Sequence, residues 1–435
     1  MHIGIVPVLS GLGGGGYQYS LTMLRALYEL RSAACEEEFV VLAHDMRHPG
    51  VLSLNGHGWI VKPLWPSPVM QLAKDLLRRV VGEATLLEVS TWLRSRTRAI
   101  LGPPDPDLVL SRPDMARWFR SFGVELMLYP TPNRLSFETE IPYVMAVHDL
   151  QHRLQPEFPE VSANGEWERR EYLYRNGTRY ATLLLADSEE GKEDILNFYG
   201  SHGVAADRVK VLPFLPTCYL AVDNLEGERQ RVGTLYRLPK DYLFYPAQFW
   251  PHKNHSRIIE ALAVLKQEHR VRIPIVLSGS HAGEIPGRTF REVMRLSDML
   301  GVGDQVHHLD YVPDEDMSGL YAGAMALVMP TFFGPTNIPA LEAWAFGCPV
   351  ITSDIRGIRQ QSGDASLLVD PRSAEAIADG IYRLWTDEIL RRTLAARGRQ
   401  RLATYTPHHY QQRLAEILEE ARARVRSEKP LSARQ

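Results

Sequence analysis

Residues 324–351 constrain this chain most. Ala324-Met325-Ala326-Leu327-Val328-Met329 is a continuous apolar run of the kind that forms a buried strand. Residues 330–335 break regular structure, with Gly334-Pro335 as the strongest punctuation. Thr336 or Asn337 can then cap a helix, and Pro339 suits its first turn. That helix runs over 340–346 and stops at Gly347, and Val350-Ile351 opens another strand. Strand, loop, helix, strand is the unit of an open parallel sheet, whose ligands bind at the carboxyl ends of the strands. Backbone N–H groups at the helix start favour an anion such as a diphosphate. Glu342, in the first helical turn, can accept two hydroxyls at once. A diphosphate beside a diol is the outline of a nucleotide sugar; an ordinary capped helix is the plainer reading of the same spacing.

Related patterns recur along the chain. Residues 3–8 read as a strand, Gly11-Leu12-Gly13-Gly14-Gly15-Gly16 follows, and a helix begins near Tyr17 with Leu21, Leu24 and Tyr28 at helical spacing. Glycines let a backbone approach a ligand closely, but the dinucleotide fingerprint is absent, so a flexible loop is the alternative. Residues 142–150 form the clearest strand of this half and end in His148-Asp149, which either face a ligand or cap the strand. A further start appears at 242–247, where an apolar strand leads through Gln248-Phe249-Trp250-Pro251-His252-Lys253-Asn254 into a helix bearing Ile258, Leu262 and Leu265. Lys253 could neutralise a phosphate there, or be a solvated helix-start lysine. Ser278 and Gly279 close the next strand. His307 and His308 alternate faces of a strand, cannot easily share a metal ion, and read as structural.

Composition sets the outer limits. A chain of 435 residues predicts two or three domains. A net charge of -3 argues against nucleic-acid binding by bulk electrostatics. Cys35, Cys218 and Cys348 are far apart, form neither a metal pattern nor a disulfide framework, and fit a reducing compartment. The N-terminus lacks the basic region of a signal peptide, and no apolar run reaches the roughly 18 residues of a membrane span. The expectation is a cytoplasmic protein or one at the inner membrane face. Residues 69–101 are basic and partly amphipathic, with Leu72, Leu76 and Leu77 on one side and Arg78, Arg79, Arg94, Arg96 and Arg98 adding charge. A solvated helical face and a contact with anionic lipid are both open.

The run Phe333-Gly334-Pro335-Thr336-Asn337-Ile338-Pro339, followed by Glu342 and by Gly347-Cys348-Pro349-Val350, resembles the signature of retaining glycosyltransferases of family four. These have the GT-B fold, and the resemblance is to their polysaccharide or O-antigen subset. His148-Asp149, Ser188 with Lys192, Lys253, residues 351–354 and residues 363–371 match as well. Three positions depart from the family pattern: Gly334 stands where the first signature glutamate is common, Gln248 where arginine is common, and Gln360 where a glutamate precedes Gly-Asp-Ala.

The resemblance implies an α/β fold of two Rossmann-like parallel-sheet domains facing a deep cleft. It places an acceptor domain at 1–215 with a crossing helix at about 405–425, a linker at 216–238 and a donor domain at 239–404. It implies catalytic roles for His148 at the sugar, Lys253 at the diphosphate and Glu342 at the ribose diol. Donor binding would involve Gly15, Gly16, Asp149, Gln248, Ser278, Gly279, Pro335, Thr336, Asn337 and Ile338. No Asp-x-Asp clamp is evident, so neither a metal nor another cofactor is expected. The partners implied are a nucleoside-diphosphate sugar and a glycan or lipid-linked glycan acceptor, with membrane contact through 69–101 and no nucleic acid. The implied reaction is retaining transfer of a hexose-type sugar, mannosyltransferase-like, in bacterial surface polysaccharide or lipopolysaccharide synthesis. A sugar-nucleotide 2-epimerase on the same fold and a non-catalytic binder or assembly partner are the rival readings.

Overall fold

The computed structural model describes residues 1–9, 15–32, 38–47, 51–52, 54, 59–66, 106–216, 224–334 and 336–427. Gly11 to Gly14, Cys35, Cys218, Pro335 and the basic stretch 69–101 lie outside the described residues.

The chain divides into two units. The first comprises Met1–Glu157, Val161–Pro213 and Pro407–Gln435. Its strands are β1 (His2–Ile5), β2 (Phe39–Ala43), β3 (Ile60–Pro63), β4 (Val124–Tyr129), β5 (Tyr143–Val147), β6 (Leu183–Ala186) and β7 (Val209–Val211). They pair in parallel in the order β3-β2-β1-β4-β5-β6-β7. Strands buried on both faces need continuous apolar sequence, and β2, β5 and β6 are buried at every residue. The strand order reverses beside β1, which puts a switch point between β1 and β4. Helix Gly15–Ser32 follows β1, and helix Glu189–Tyr199 is capped by Ser188, whose hydroxyl accepts the Gly191 N–H. The last helix, Pro407–Ser427, packs on Gly15–Ser32 and buries Tyr410, Leu414, Ile417, Leu418 and Ala421. Arg424 bonds Asp207 at 2.7 Å and Glu420 pairs with Lys210 at 2.8 Å, fixing the helix beside β7.

The second unit comprises Phe214–Thr406 together with Phe158–Glu160. Its strands are β8 (Leu243–Pro246), β9 (Ile275–Ser278), β10 (Val306–Leu309), β11 (Ala326–Met329), β12 (Val350–Ser353) and β13 (Ser366–Val369). They pair in parallel in the order β10-β9-β8-β11-β12-β13, with a switch point between β8 and β11.

Two boundaries differ from the sequence expectation. Within the expected linker 216–238, Leu225–Leu235 is a helix of the second unit rather than a connector. Asn224 caps it by accepting the Gly227 N–H, and Val232 enters the core. Arg231 and the Tyr236 hydroxyl both bond the buried Asp316 carboxylate, at 2.6 and 2.5 Å. The charged run that looked like a linker is the solvated face of this helix. Residues Phe158–Glu160, inside the span expected for the first domain, pack in the second unit.

Candidate functional site

The crevice of the second unit lies at the carboxyl ends of β8 and β11, where loops 247–254 and 330–337 emerge. Asn254 takes the left-handed conformation at φ 62°. Its buried amide donates to the carbonyls of Pro330 at 2.8 Å and Pro371 at 2.7 Å, so one side chain ties the loops that follow β8, β11 and β13. The Phe332 N–H and the Thr331 hydroxyl both donate to the His252 carbonyl, at 2.8 and 3.1 Å. Lys253 ends the single turn Pro251–Lys253 and is half-buried, its carbonyl accepting the Tyr245 hydroxyl at 2.9 Å. Gly279 brings the loop after β9 against the same backbone: at φ 145°, a Cβ there would lie 2.4 Å from the Ala247 oxygen. Ser278, beside it, is buried.

Helix Ile338–Ala345 begins at this crevice. Asn337 is the extended residue before it, but its side chain makes no capping bond. Gln361 does that work: its Oε1 accepts the Asn337 N–H at 2.9 Å, and its Nε2 donates to the Asn337 carbonyl at 3.0 Å. The glutamine beside Gly-Asp-Ala that acts at the helix start is thus buried Gln361, while Gln360 is exposed and offers its carbonyl to Arg401. Gly334 sits at φ 116°, a region that side-chain-bearing residues rarely adopt, so a glutamate would strain the turn here. Thr336 and Ile338 are half-buried on either side of Asn337. Glu342 is buried, and its Oε2 accepts the Tyr321 hydroxyl at 2.6 Å. Gln248 Oε1 accepts the Trp250 indole N–H at 2.8 Å, so its amide oxygen is engaged within its own loop.

Sequence reasoning missed the strap Phe158–Glu160. Glu160 Oε1 accepts the His252 backbone N–H at 3.0 Å and its Nδ1–H at 2.6 Å. The His252 ring stacks on Phe333 at 3.7 Å, and Phe158 packs on Phe332 and Phe333. One short segment therefore clamps the Lys253 loop to the loop after β11. Burial alone would raise the Glu160 pKa; the bonds from His252 outweigh it and hold the carboxyl below its ordinary value. Beneath the same loop, His255 stacks on Phe249 at 4.3 Å. Burial, and then the Lys253 charge, push the His255 imidazole down to about 3, so it is neutral at pH 7.

In the first unit, His148 and Asp149 follow β5. His148 Nε2 lies 2.9 Å from the Pro130 carbonyl, which can only accept, so Nε2 carries the proton. Burial lowers the His148 pKa, and Nδ1 then holds the lone pair. Tyr19 meets the ring edge-on at 4.8 Å. Asp149 is engaged structurally: it accepts from Arg170 at 3.0 Å and from the Gln151 N–H at 3.1 Å. Burial would raise its pKa, but Arg170, the Gln151 N–H and the nearby His148 and His152 together outweigh it and the value is lowered. Gly15 opens the helix with open space around it, and Gly16 follows, its carbonyl accepting the Ser20 hydroxyl at 2.8 Å and its Cβ position only 3.3 Å from Thr131. His152 belongs to a buried network with Glu171, Tyr199 and Arg153.

Gln248, Lys253, Ser278, Gly279, Thr336, Asn337, Ile338 and Glu342 thus gather on loops and a helix at the carboxyl ends of the second sheet. Gly15, Gly16, His148 and Asp149 lie on the segments that follow β1 and β5 of the first.

Two parallel Rossmann-like sheets with crevices built this way are the GT-B fold. Anabaena HepE, solved in complex with UDP-glucose, shares it: the TM-score is 0.64 with 18% identity, over 96% of this chain and 99% of that one. Residues 228–401, all within the second unit, match the family described as Glycosyl transferases group 1. O-antigen chain mannosyltransferase B of Escherichia coli is 30% identical over 219 residues, which is 50% of this chain and 55% of that protein. The serotype-specific mannosyltransferase WbdA of Escherichia coli is 25% identical over 218 residues, 50% of this chain and 26% of that protein. The chain therefore spans about half the length of the first relative and about a quarter of the second. The match and these relatives support a glycosyltransferase family. Among the described residues, no helix is long and apolar enough to cross a membrane.

Proposed function

We propose that this protein is a retaining glycosyltransferase that moves a hexose-type sugar from a nucleoside-diphosphate sugar to a glycan or lipid-linked glycan in surface polysaccharide synthesis. One observation carries the reading: a buried carboxylate, Glu342, stands in the helix that follows the loop after β11, and that loop is hydrogen-bonded to the Lys253 loop at a sheet switch point. A carboxylate there suits a ribose diol. An ammonium group and helix-start amides suit the diphosphate that departs with negative charge. Gln248 contributes no charge, so the second unit relies on Lys253 and on backbone dipoles that are fixed before the donor arrives. His148, neutral with Nδ1 free of a proton, is the first unit's contribution at the sugar. The mannosyltransferase relatives favour a mannose-type donor, and the reaction is assigned no divalent ion.

The test is release of nucleoside diphosphate from a panel of GDP- and UDP-sugars, with and without a lipid-linked glycan, run also in excess chelator. Acceptor-dependent release that survives the chelator, with the product anomer unchanged by NMR, supports the reading. A binder would show a nucleotide-dependent rise in thermal midpoint and no turnover; an epimerase would alter the donor with no acceptor present. The binder is the second reading, because Gln248 turns its amide oxygen to Trp250 and Gly334 replaces an acid.

A further inference from the structure

We propose that His281, His308 and Asp310 form a binding site for a divalent transition metal of the zinc class. The site lies on the second unit, where β9 and β10 end. One ligand atom from each residue lies within 4.8 Å of the others. His281 Nδ1 stands 3.6 Å from Asp310 Oδ1, and His308 Nδ1 stands 3.9 Å from the same oxygen. In a tetrahedral zinc site with bonds of about 2.0–2.1 Å, neighbouring ligand atoms are about 3.3 Å apart. The two measured edges need to contract by only roughly 0.3 and 0.6 Å to reach that spacing.

Both imidazoles are held in place by packing. His281 stacks on Phe290 at 4.3 Å and 13°. His308 packs on Phe290 at 4.7 Å and on Phe249 at 5.3 Å. On His281 the nitrogen that faces Asp310, Nδ1, is buried with no hydrogen-bond partner, and an unsatisfied buried polar atom costs free energy; on His308 the nitrogen that faces Asp310 is likewise Nδ1. The Asp310 side chain is 79% exposed, which leaves an entry path and room for a water as fourth ligand. Two imidazoles and one carboxylate suit zinc, cobalt and nickel, whereas magnesium and calcium prefer all-oxygen shells. A bound ion would pin the turn after β9 to the end of β10. The adjacent pair His307-His308 hid this in the sequence, because the second imidazole comes from a turn 27 residues earlier, at His281.

The experiment uses the full chain, stripped with a chelator and titrated with zinc chloride alone by calorimetry, then with cobalt(II) while the visible spectrum is recorded. The expected result is saturable binding of a single ion, a higher thermal midpoint and the intense visible bands of four-coordinate cobalt. D310A and H281A each weaken zinc binding by at least about tenfold, and D310A, which changes an exposed side chain, leaves the metal-free melt unchanged. The double variant H281A/H308A loses saturable binding. Absence of saturable zinc binding in the parent chain, or equal binding by D310A, H281A and the double variant, overturns the proposal.

Discussion

The two crevices are built on the same strand order and stiffened differently. In the second unit, the loops at the carboxyl ends are cross-tied by buried side chains: Asn254 to two carbonyls, Gln361 to both polar groups of Asn337, and Glu160 to His252. In the first unit, Ser20 bridges Val8 and Gly16, and the principal charge, Asp149, is neutralised by Arg170. The second unit carries Lys253 on the loop after β8, and the first carries a neutral imidazole, His148, after β5. On the proposed reading the departing diphosphate would fall to the second unit, because charge stabilisation needs dipoles that do not reorganise.

Five substitutions would break or sharpen that contrast. The largest effect is expected for Lys253→Ala, which removes the cation and should lower kcat by about 10²–10³-fold, while His148→Ala leaves nucleoside-diphosphate affinity unchanged. Equal loss of nucleotide binding in both variants would erase the contrast. Asn254→Ala leaves two buried carbonyls without their donor, at about 1–3 kcal/mol each, and should lower the thermal midpoint by several degrees. An unchanged melt would mean the loops are held otherwise.

Glu160→Gln keeps the shape of the clamp and removes its charge. It should cost roughly 1–2 kcal/mol and raise KM for the donor more than it lowers kcat. The carboxyl pKa is lowered in the fold, so its stabilisation is present above the ordinary value of 4.5 and is lost as pH falls through the depressed one. Acid melts of E160Q should therefore converge on those of the parent below that range. At neutral pH the smallest effect belongs to His255, whose ring is neutral in the fold. Unfolding lets it take up a proton, so stability declines as pH drops from about 6.5 toward about 3, by at most roughly 1.4 kcal/mol per pH unit. His255→Phe should flatten that decline, as read from thermal midpoints between pH 7 and pH 4.

What the sequence made legible was local. Apolar runs such as 326–329 and 350–353 are strands because both faces are buried, and Gly347 ends a helix in the left-handed conformation it takes at φ 69°. Lys253 could be placed because it sits a fixed distance from a strand end, whereas Glu342, expected in the first helical turn, falls in the second because the helix starts at Ile338. Gln361 could not, since its partner is 24 residues away and its neighbour Gln360 offered the same side chain. Glu160 acts across 92 residues, beyond any periodicity. The charges of 226–231 suggested a connector because a solvated helix face and a linker share a composition.

The strap Phe158–Glu160 has a practical corollary for dissecting this molecule. A fragment limited to 214–406 would be born with its phenylalanine seat empty and His252 stripped of its acid, so recombinant halves cut at the obvious junction should be sticky and poorly behaved. Grafting a peptide that spans 158–160, or supplying it in trans, is the natural repair.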